Sequence, residues 1–309
     1  MSTINKVPAS AGAEWLLAGF ALLRRAPVPL FAISVVGLLV VALSLLIAVV
    51  VVGLMSALPF PLSLIPLLIY AALTLGVPCL IFAGVVWAAR EVSEGRDASV
   101  HHLQVGIRHV APLLLTSVIP LAGTILSAIL LIALIGTEGV QQANDVMLKL
   151  QALMADGGQP DPAQVNALVA SLPVVRFLFW MLVTIALAPI VVCLVMVAVS
   201  EVIFSDRSGF SALRLSLAAN AKNFGALIVF SLLLAVLLFA LSLVLQIIGV
   251  IVQFVLGPVI AVLFTNLALM GVLMPLLAGA AYTAWRQMLG NGSAGAPGVS
   301  IPTVSHIEV

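Results

Sequence analysis

Charge is what this sequence lacks most. Asp, Glu, Lys and Arg make up 7% of its 309 residues, against about 25% in an average soluble domain. Apolar residues make up 63% of the chain, and its mean hydropathy is +1.32. A soluble fold of this length leaves too much of its surface facing water to hide so many apolar side chains. Lipid must therefore be the solvent. The formal net charge of +1 supplies no field for nucleic acid, so no nucleic-acid partner is expected.

Cysteine is scarce as well. Cys79 and Cys193 both lie inside apolar runs, which excludes a disulfide framework and reads as two small buried hydrophobes. No cysteine accompanies Asp97, His101, His102 and His109. Adjacent histidines on a helix point about 100° apart, and no HxxxH spacing occurs, so no metal is expected. GxSxG, P-loop, HExxH and CxxCH patterns are missing too. The four histidines stand outside the apolar runs or at their edges, where they cannot ligate a membrane haem. No cofactor and no catalysis are expected. Nor does an ionisable side chain occupy the centre of any run, which counts against proton-coupled transport.

What is present is long apolar sequence. Four intervals are free of Asp, Glu, Lys and Arg: Ala26 to Ala89 (64 residues), His109 to Thr137 (29), Phe177 to Ser200 (24) and Asn223 to Trp285 (63). One crossing needs about 20 residues. The long intervals therefore hold two spans each and the short ones a single span. The expected spans are 29–54, 62–88, 110–135, 177–199, 224–248 and 259–282. This predicts an all-α, polytopic helical membrane protein. Pro66, Pro78, Pro112, Pro120 and Pro189 fall within these spans and predict bends. Residues 250–256 exceed what two spans need and read as a short surface or re-entrant helix.

An even span count puts both termini on one side. Ten of the basic residues (Lys6, Arg24, Arg25, Arg90, Arg96, Arg108, Arg207, Arg214, Lys222, Arg286) share that side, and only Lys149 and Arg176 lie opposite. The positive-inside rule then places both termini in the cytoplasm.

The chain is organised around a pattern used three times. Ser216 to Leu234, SLAANAKNFGALIVFSLLL, is a polar, weakly amphipathic segment with one cation that runs into an apolar span. Ala18 to Val36 repeats this, with Arg24 and Arg25 in the place of Lys222. Leu103 to Ile119 repeats it with Arg108. These read as three interfacial elbow helices, each followed by two spans, in a threefold internal repeat. At an offset of 110 residues Glu91 matches Glu201, Val92 matches Val202 and Leu103 matches Leu213. In the first elbow Trp15, Gly19 and Leu22 share a face, and Ser10 is placed to cap it. Residues 1–12 read as loose. Trp15 is expected at headgroup level, and Arg24, Arg25, Arg108 and Lys222 are candidates for contact with anionic lipid.

Two further features stand out. Asn266, beside Thr265, is the most polar mid-span residue and is expected to make an interhelical hydrogen bond or touch a substrate. Residues 138–172 form the only sizeable polar insertion and lie on the outer side. Ala143, Val146, Met147, Leu150, Leu153 and Met154 form one apolar stripe. Val165, Leu168, Val169 and Leu172 form a second, on a helix capped by Asp161 with Pro162 first. This predicts a helical hairpin, serving as an outer-face layer, a lid or a docking surface. Residues 290–309, rich in Gly, Ser and Pro, read as a disordered cytoplasmic tail.

The opening VPASAGAEWLLAGFALLRRAPVPLF carries Val7-Pro8-Ala9, Trp15, Gly19-Phe20 and Arg25-Ala26-Pro27. It resembles the start of an uncharacterised family of proteobacterial polytopic inner-membrane proteins. The layout is more distantly similar to the membrane domain of some glycerophosphodiester phosphodiesterases. The resemblance implies a bacterial inner membrane and six spans, with no catalytic residues to carry over. The expected function is a non-catalytic accessory subunit or scaffold, with membrane lipid and a protein partner or a second copy as its contacts. The alternative is a channel or carrier for lipid or an apolar solute.

Overall fold

The computed structural model describes residues 4–55, 59, 62, 64–155 and 161–290. The tail beyond Gly290, most of the Leu58–Pro61 turn and the Asp156–Pro160 break lie outside the described residues. With no water to satisfy backbone N–H and C=O groups, a chain in lipid must form helices or a closed barrel, and long uniformly apolar runs form helices. Six helical segments here are long and apolar enough to cross a membrane, and the described residues contain no strand. The chain is an all-α polytopic helical protein.

Its helices fall into three units. The first is α1 (Ala11–Arg25), α2 (Pro27–Met55), α3 (Leu64–Ala71) and α4 (Val77–Ser93), with a π-helical turn, Ala72–Gly76, joining α3 to α4. The second begins with a 3-10 turn, Val100–Leu103. It continues through α5 (Gln104–Arg108), α6 (Val110–Thr116), α7 (Val118–Ala155), α8 (Pro162–Ala170) and α9 (Val174–Ser205). The third is α10 (Gly209–Lys222), α11 (Phe224–Leu256) and α12 (Pro258–Met288). Each unit is an elbow followed by a span out and a span back. Every elbow stops at one non-helical residue: Ala26 (φ −138°, ψ 64°), His109 (φ −119°, ψ 33°) and Asn223 (φ −113°, ψ 30°).

The units close into a ring. The second elbow packs on α4 and α2, the third on α9 and α6, and the first on α12 and α11. Each elbow thus seats on the two spans of the unit before it, and the first seats on the last. The register repeats as well. Seven residues before their breaks, Gly19 meets the carbonyl of Leu276, Ser216 Oγ donates to the carbonyl of Leu194 (2.7 Å), and His102 carries its carbonyl against Gly84. Gly84 and Leu194 are 110 residues apart, the offset at which Glu91 matches Glu201. Gly12 and Gly209, each fourteen residues before a break, lie against the carbonyls of Ala226 and Pro112. A side chain at either position would collide with backbone.

The three returning spans, α4, α9 and α12, pack on one another. Each returning segment holds about 30 residues, roughly 45 Å of helix, against a hydrocarbon core of about 30 Å. The surplus lies at the basic end, where Ala83 to Ala89, Met196 to Val202 and Leu276 to Ala284 form the core under the collar of elbows. Toward the far end the spans keep company mainly within their own unit. Ser44 Oγ donates to Leu73 O (3.2 Å), Ser127 and Thr184 share a hydroxyl bond (3.0 Å), and Trp180 Nε1 donates to Ser127 O (2.9 Å). Large apolar residues there, among them Leu54, Leu182, Phe239 and Phe254, are exposed, as lipid-facing surface should be.

Local chemistry explains the turns. Pro78 has no N–H to give its own helix and crowds the preceding turn, and the chain widens there into the π-helical turn. Gly136 (φ 74°, ψ 166°) and Gly257 (φ 87°, ψ 166°) occupy a region open essentially to glycine alone. Gly136 ends the third span and starts the helix that runs on to Ala155. Gly257 turns α11 into α12.

Three expectations are corrected. Residues 250–256 form no separate helix, because α11 runs unbroken to Leu256 until Gly257 turns it. Ser10 precedes α1 but makes no side-chain cap. Residues 5–7 are not loose: Asn5 N donates to Met288 O (2.8 Å), and Val7 N donates to Asn223 Oδ1 (2.8 Å). Asp161 does cap α8, accepting from Ala163 N at 2.9 Å.

Candidate functional site

The polar chemistry of the molecule converges at the basic end, where α4, α9 and α12 meet. Glu201, on α9, is 1% exposed. Its Oε2 accepts from Trp285 Nε1 of α12 (2.7 Å), and its Oε1 pairs with Arg207 Nε (2.6 Å). A buried carboxylate persists only when its oxygens are occupied by donors, and here both are. Phe204, one turn on, packs against Trp87 of α4 (ring centroids 5.8 Å apart), Tyr282 (5.5 Å) and Trp285 (4.7 Å). The Arg90 guanidinium lies over Trp87 (5.1 Å) and Phe204 (5.4 Å). Two side chains from each returning span, Trp87 and Arg90, Glu201 and Phe204, and Tyr282 and Trp285, make a clamp between the three units.

An ion-pair network extends from it. Arg90 Nε donates to Glu94 Oε1 (2.8 Å), and Arg96 bonds both Glu91 and Glu94. The hydrogen bond from Arg90 holds the Glu94 carboxyl below the ordinary carboxylate range, and Arg96 adds to the effect. His109, the break residue of the second unit, sets its Nε2 3.5 Å from Asp206 Oδ1 while Nδ1 meets Val105 O (3.1 Å). Among the described residues, no three His, Cys, Asp or Glu side chains converge on a metal-sized site.

A second polar group binds the start of the chain to its end. Asn223 Nδ2 donates to Asn5 O and to Ala219 O, each at 3.0 Å, while its Oδ1 accepts from Val7 N. Trp15 Nε1 donates to Gln287 Oε1 (2.7 Å), and Gln287 Nε2 reaches Glu14 Oε2 (3.1 Å).

The residues expected to matter are separated by the fold. Trp15 faces protein and not lipid. It is 1% exposed, packed on Phe230 with ring centroids 6.0 Å apart. The amphipathic face of α1 looks into protein, since α11 and α12 cover it. Arg24, Arg25, Arg108 and Lys222 are all exposed near elbow C-termini, and Lys222 Nζ donates to Ile4 O (2.7 Å). Asn266 makes no interhelical bond. Its side chain is exposed, and Nδ2 donates to Val262 O of its own helix (2.8 Å).

Glu201 shows in the sequence only through the offset that matches it to Glu91, and Asn223 and Gln287 carry no signal there.

On the far side, α8 and the part of α7 beyond Gly136 enclose an open cleft of about 770 Å³. Val146, Leu153 and Leu168 form its apolar lining, with Gln142, Asp145 and Lys149 beside them. Gln142 Nε2 donates to Ser171 O (2.8 Å) and ties its two walls.

The chain matches no protein-family model, and no curated protein or solved structure matches it at a significant level.

Proposed function

We propose that this is a non-catalytic scaffold or accessory subunit of a bacterial inner membrane, with both termini in the cytoplasm. The observation that carries the reading is the use made of Glu201. Among the described residues, the one carboxylate buried at the meeting of the three units spends one oxygen on joining α9 to α12 and the other on Arg207 of the loop after α9. Its neighbours are spent in the same way, on ring stacking and on Arg90. A channel or carrier draws less support, because the centre of the collar is solid, with Val86, Ala89, Val199, Ala280 and Ala281 fully buried.

The orientation rests on the excess of basic residues at the end bearing both termini. The bacterial membrane rests on the resemblance of the first residues. A protein partner or a second copy is assigned to the outer cleft, whose apolar lining and polar rim suit a helix.

Native mass spectrometry of gently extracted protein tests this reading. A stoichiometric partner or a homo-oligomer is expected. Recovery of a lone monomer from native membranes would overturn it. Side-specific labelling of cysteines placed at Lys6 and at Lys149 tests the orientation, with Lys6 expected to react only from the cytoplasm.

A further inference from the structure

The ends of the three elbows occupy equivalent positions, and the chain uses them unequally. Arg25, Arg108 and Lys222 are each the last residue of an elbow, directly before its break. Each has a large exposed apolar residue close by in sequence: Val28 (76% exposed), Ile107 (69%) and Phe224 (54%). A cation beside an exposed apolar side chain, where a span begins, is the arrangement that sits at the boundary of headgroup and acyl chain. In the third unit the cation is already engaged, since Lys222 Nζ donates to Ile4 O. In the first and second units it is not. Among the described residues no carboxylate pairs with Arg24, Arg25 or Arg108, whereas Arg90, Arg96 and Arg207 are all paired.

We propose that the elbow ends of the first and second units, at Arg24–Arg25 and at Arg108, bind the phosphodiester headgroups of anionic lipids, and that the third is closed by the N-terminal segment. Guanidinium suits a phosphodiester because its planar donors meet two phosphate oxygens at once. The C-terminal carbonyls of each elbow contribute the opposite sign, so the arginines must supply the whole attraction. The inference stands on the six-span reading and is independent of whether a protein partner exists.

The test uses the full chain in nanodiscs of phosphatidylcholine mixed with phosphatidylglycerol, released for native mass spectrometry with retained lipid counted. The wild type is expected to retain phosphatidylglycerol in preference to phosphatidylcholine. R24Q/R25Q and R108Q should each weaken that retention, by about five-fold per arginine removed. K222Q should match the wild type. Raised salt should strip the retained lipid from the unmodified protein, a readout that needs no variant. Three results would overturn the proposal: no headgroup preference in the wild type, unchanged retention in both arginine variants, or an equal loss in K222Q. Thermal unfolding of each variant separates lost binding from lost fold. Should R108Q fail to fold, R108K keeps the charge without the fork and is expected to retain less lipid than the wild type. Equal retention by R108K would refute the bidentate role.

Discussion

The indole N–H of Trp285 points at Oε2 of Glu201 from 2.7 Å away. The bond joins α12 to α9 across the basic ends of the second and third units, and Arg207 takes the other carboxylate oxygen. Glu201→Ala should therefore strand an indole donor and a guanidinium together. Arg207 keeps partial access to water, which lowers the cost, and a loss of about 2–3 kcal/mol is expected. Glu201→Gln keeps an acceptor for Trp285 and should lose about half as much. Unfolding of the two variants in detergent measures the difference, and equal stability of both with the wild type would show that the clamp holds nothing.

The elbows owe their seats to missing side chains. A Cβ on Gly19 would stand 2.3 Å from the Leu276 carbonyl, and one on Gly12 would stand 2.1 Å from that of Ala226. Backbone cannot yield as a side chain does, so Gly19→Ala and Gly12→Ala should each cost about 1–3 kcal/mol and lift α1 from α12 or α11. Gly53, whose added carbon meets no described residue outside its own helix backbone within 4 Å, is the control. Gly53→Ala should unfold with the wild type.

Gly136 and Gly257 test the backbone in place of packing. Among the described residues, none beyond the neighbours in the chain lies within 4 Å of an added Cβ at either position. Even so, Gly136→Ala and Gly257→Ala should each lose about 1–3 kcal/mol, because their φ and ψ suit glycine alone. Thermal unfolding that matches Gly53→Ala would contradict this.

Asn223 holds three backbone groups with one amide. Asn223→Ala should leave residues 5–7 attached chiefly through Asn5 and Met288. Hydrogen exchange there should speed up by about ten-fold or more. No change in exchange would mean that the segment is held by packing alone.

Acid should loosen the turn after α4. The Glu94 carboxyl is held below its ordinary range by Arg90. A depressed pKa contributes stability above the unfolded value, and that contribution is lost as pH falls through the folded one. Hydrogen exchange across residues 91–96 should therefore rise below the ordinary carboxylate range, while exchange in α12 stays constant. A rise shared equally by α12 would point to global unfolding.

Much of the architecture was legible because lipid imposes so strict a rule. Charge-free intervals give the span count, and the cations at Arg25, Arg108 and Lys222 mark where each elbow stops. What hydropathy does not distinguish is lipid from protein interior, since both favour the same side chains. Trp15 was misplaced for that reason: its amphipathic face fits a membrane surface and the groove between α11 and α12 equally well. The basic ends of the returning spans run past the expected limits for a related reason. Residues such as Arg90 and Glu201 look like the end of a hydrophobic stretch, and only the collar reveals that the helix continues, buried, among aromatic rings. Asn266 gave a true signal of polarity, but a side chain that bonds its own helix needs no neighbour.

The closed ring also sets an order of events on the ribosome. The second elbow finds its seat on α4 as soon as it is made, and the third finds its seat on α9. The first has no seat until α11 and α12 exist. At about 5–20 residues per second, α1 waits ten seconds or more with Trp15, Leu16 and Leu22 uncovered, and the bilayer surface is the nearest apolar refuge. Its amphipathic sequence suits either host, lipid or protein. A chain that ends before α11 and α12 lacks the seat on which α1 packs.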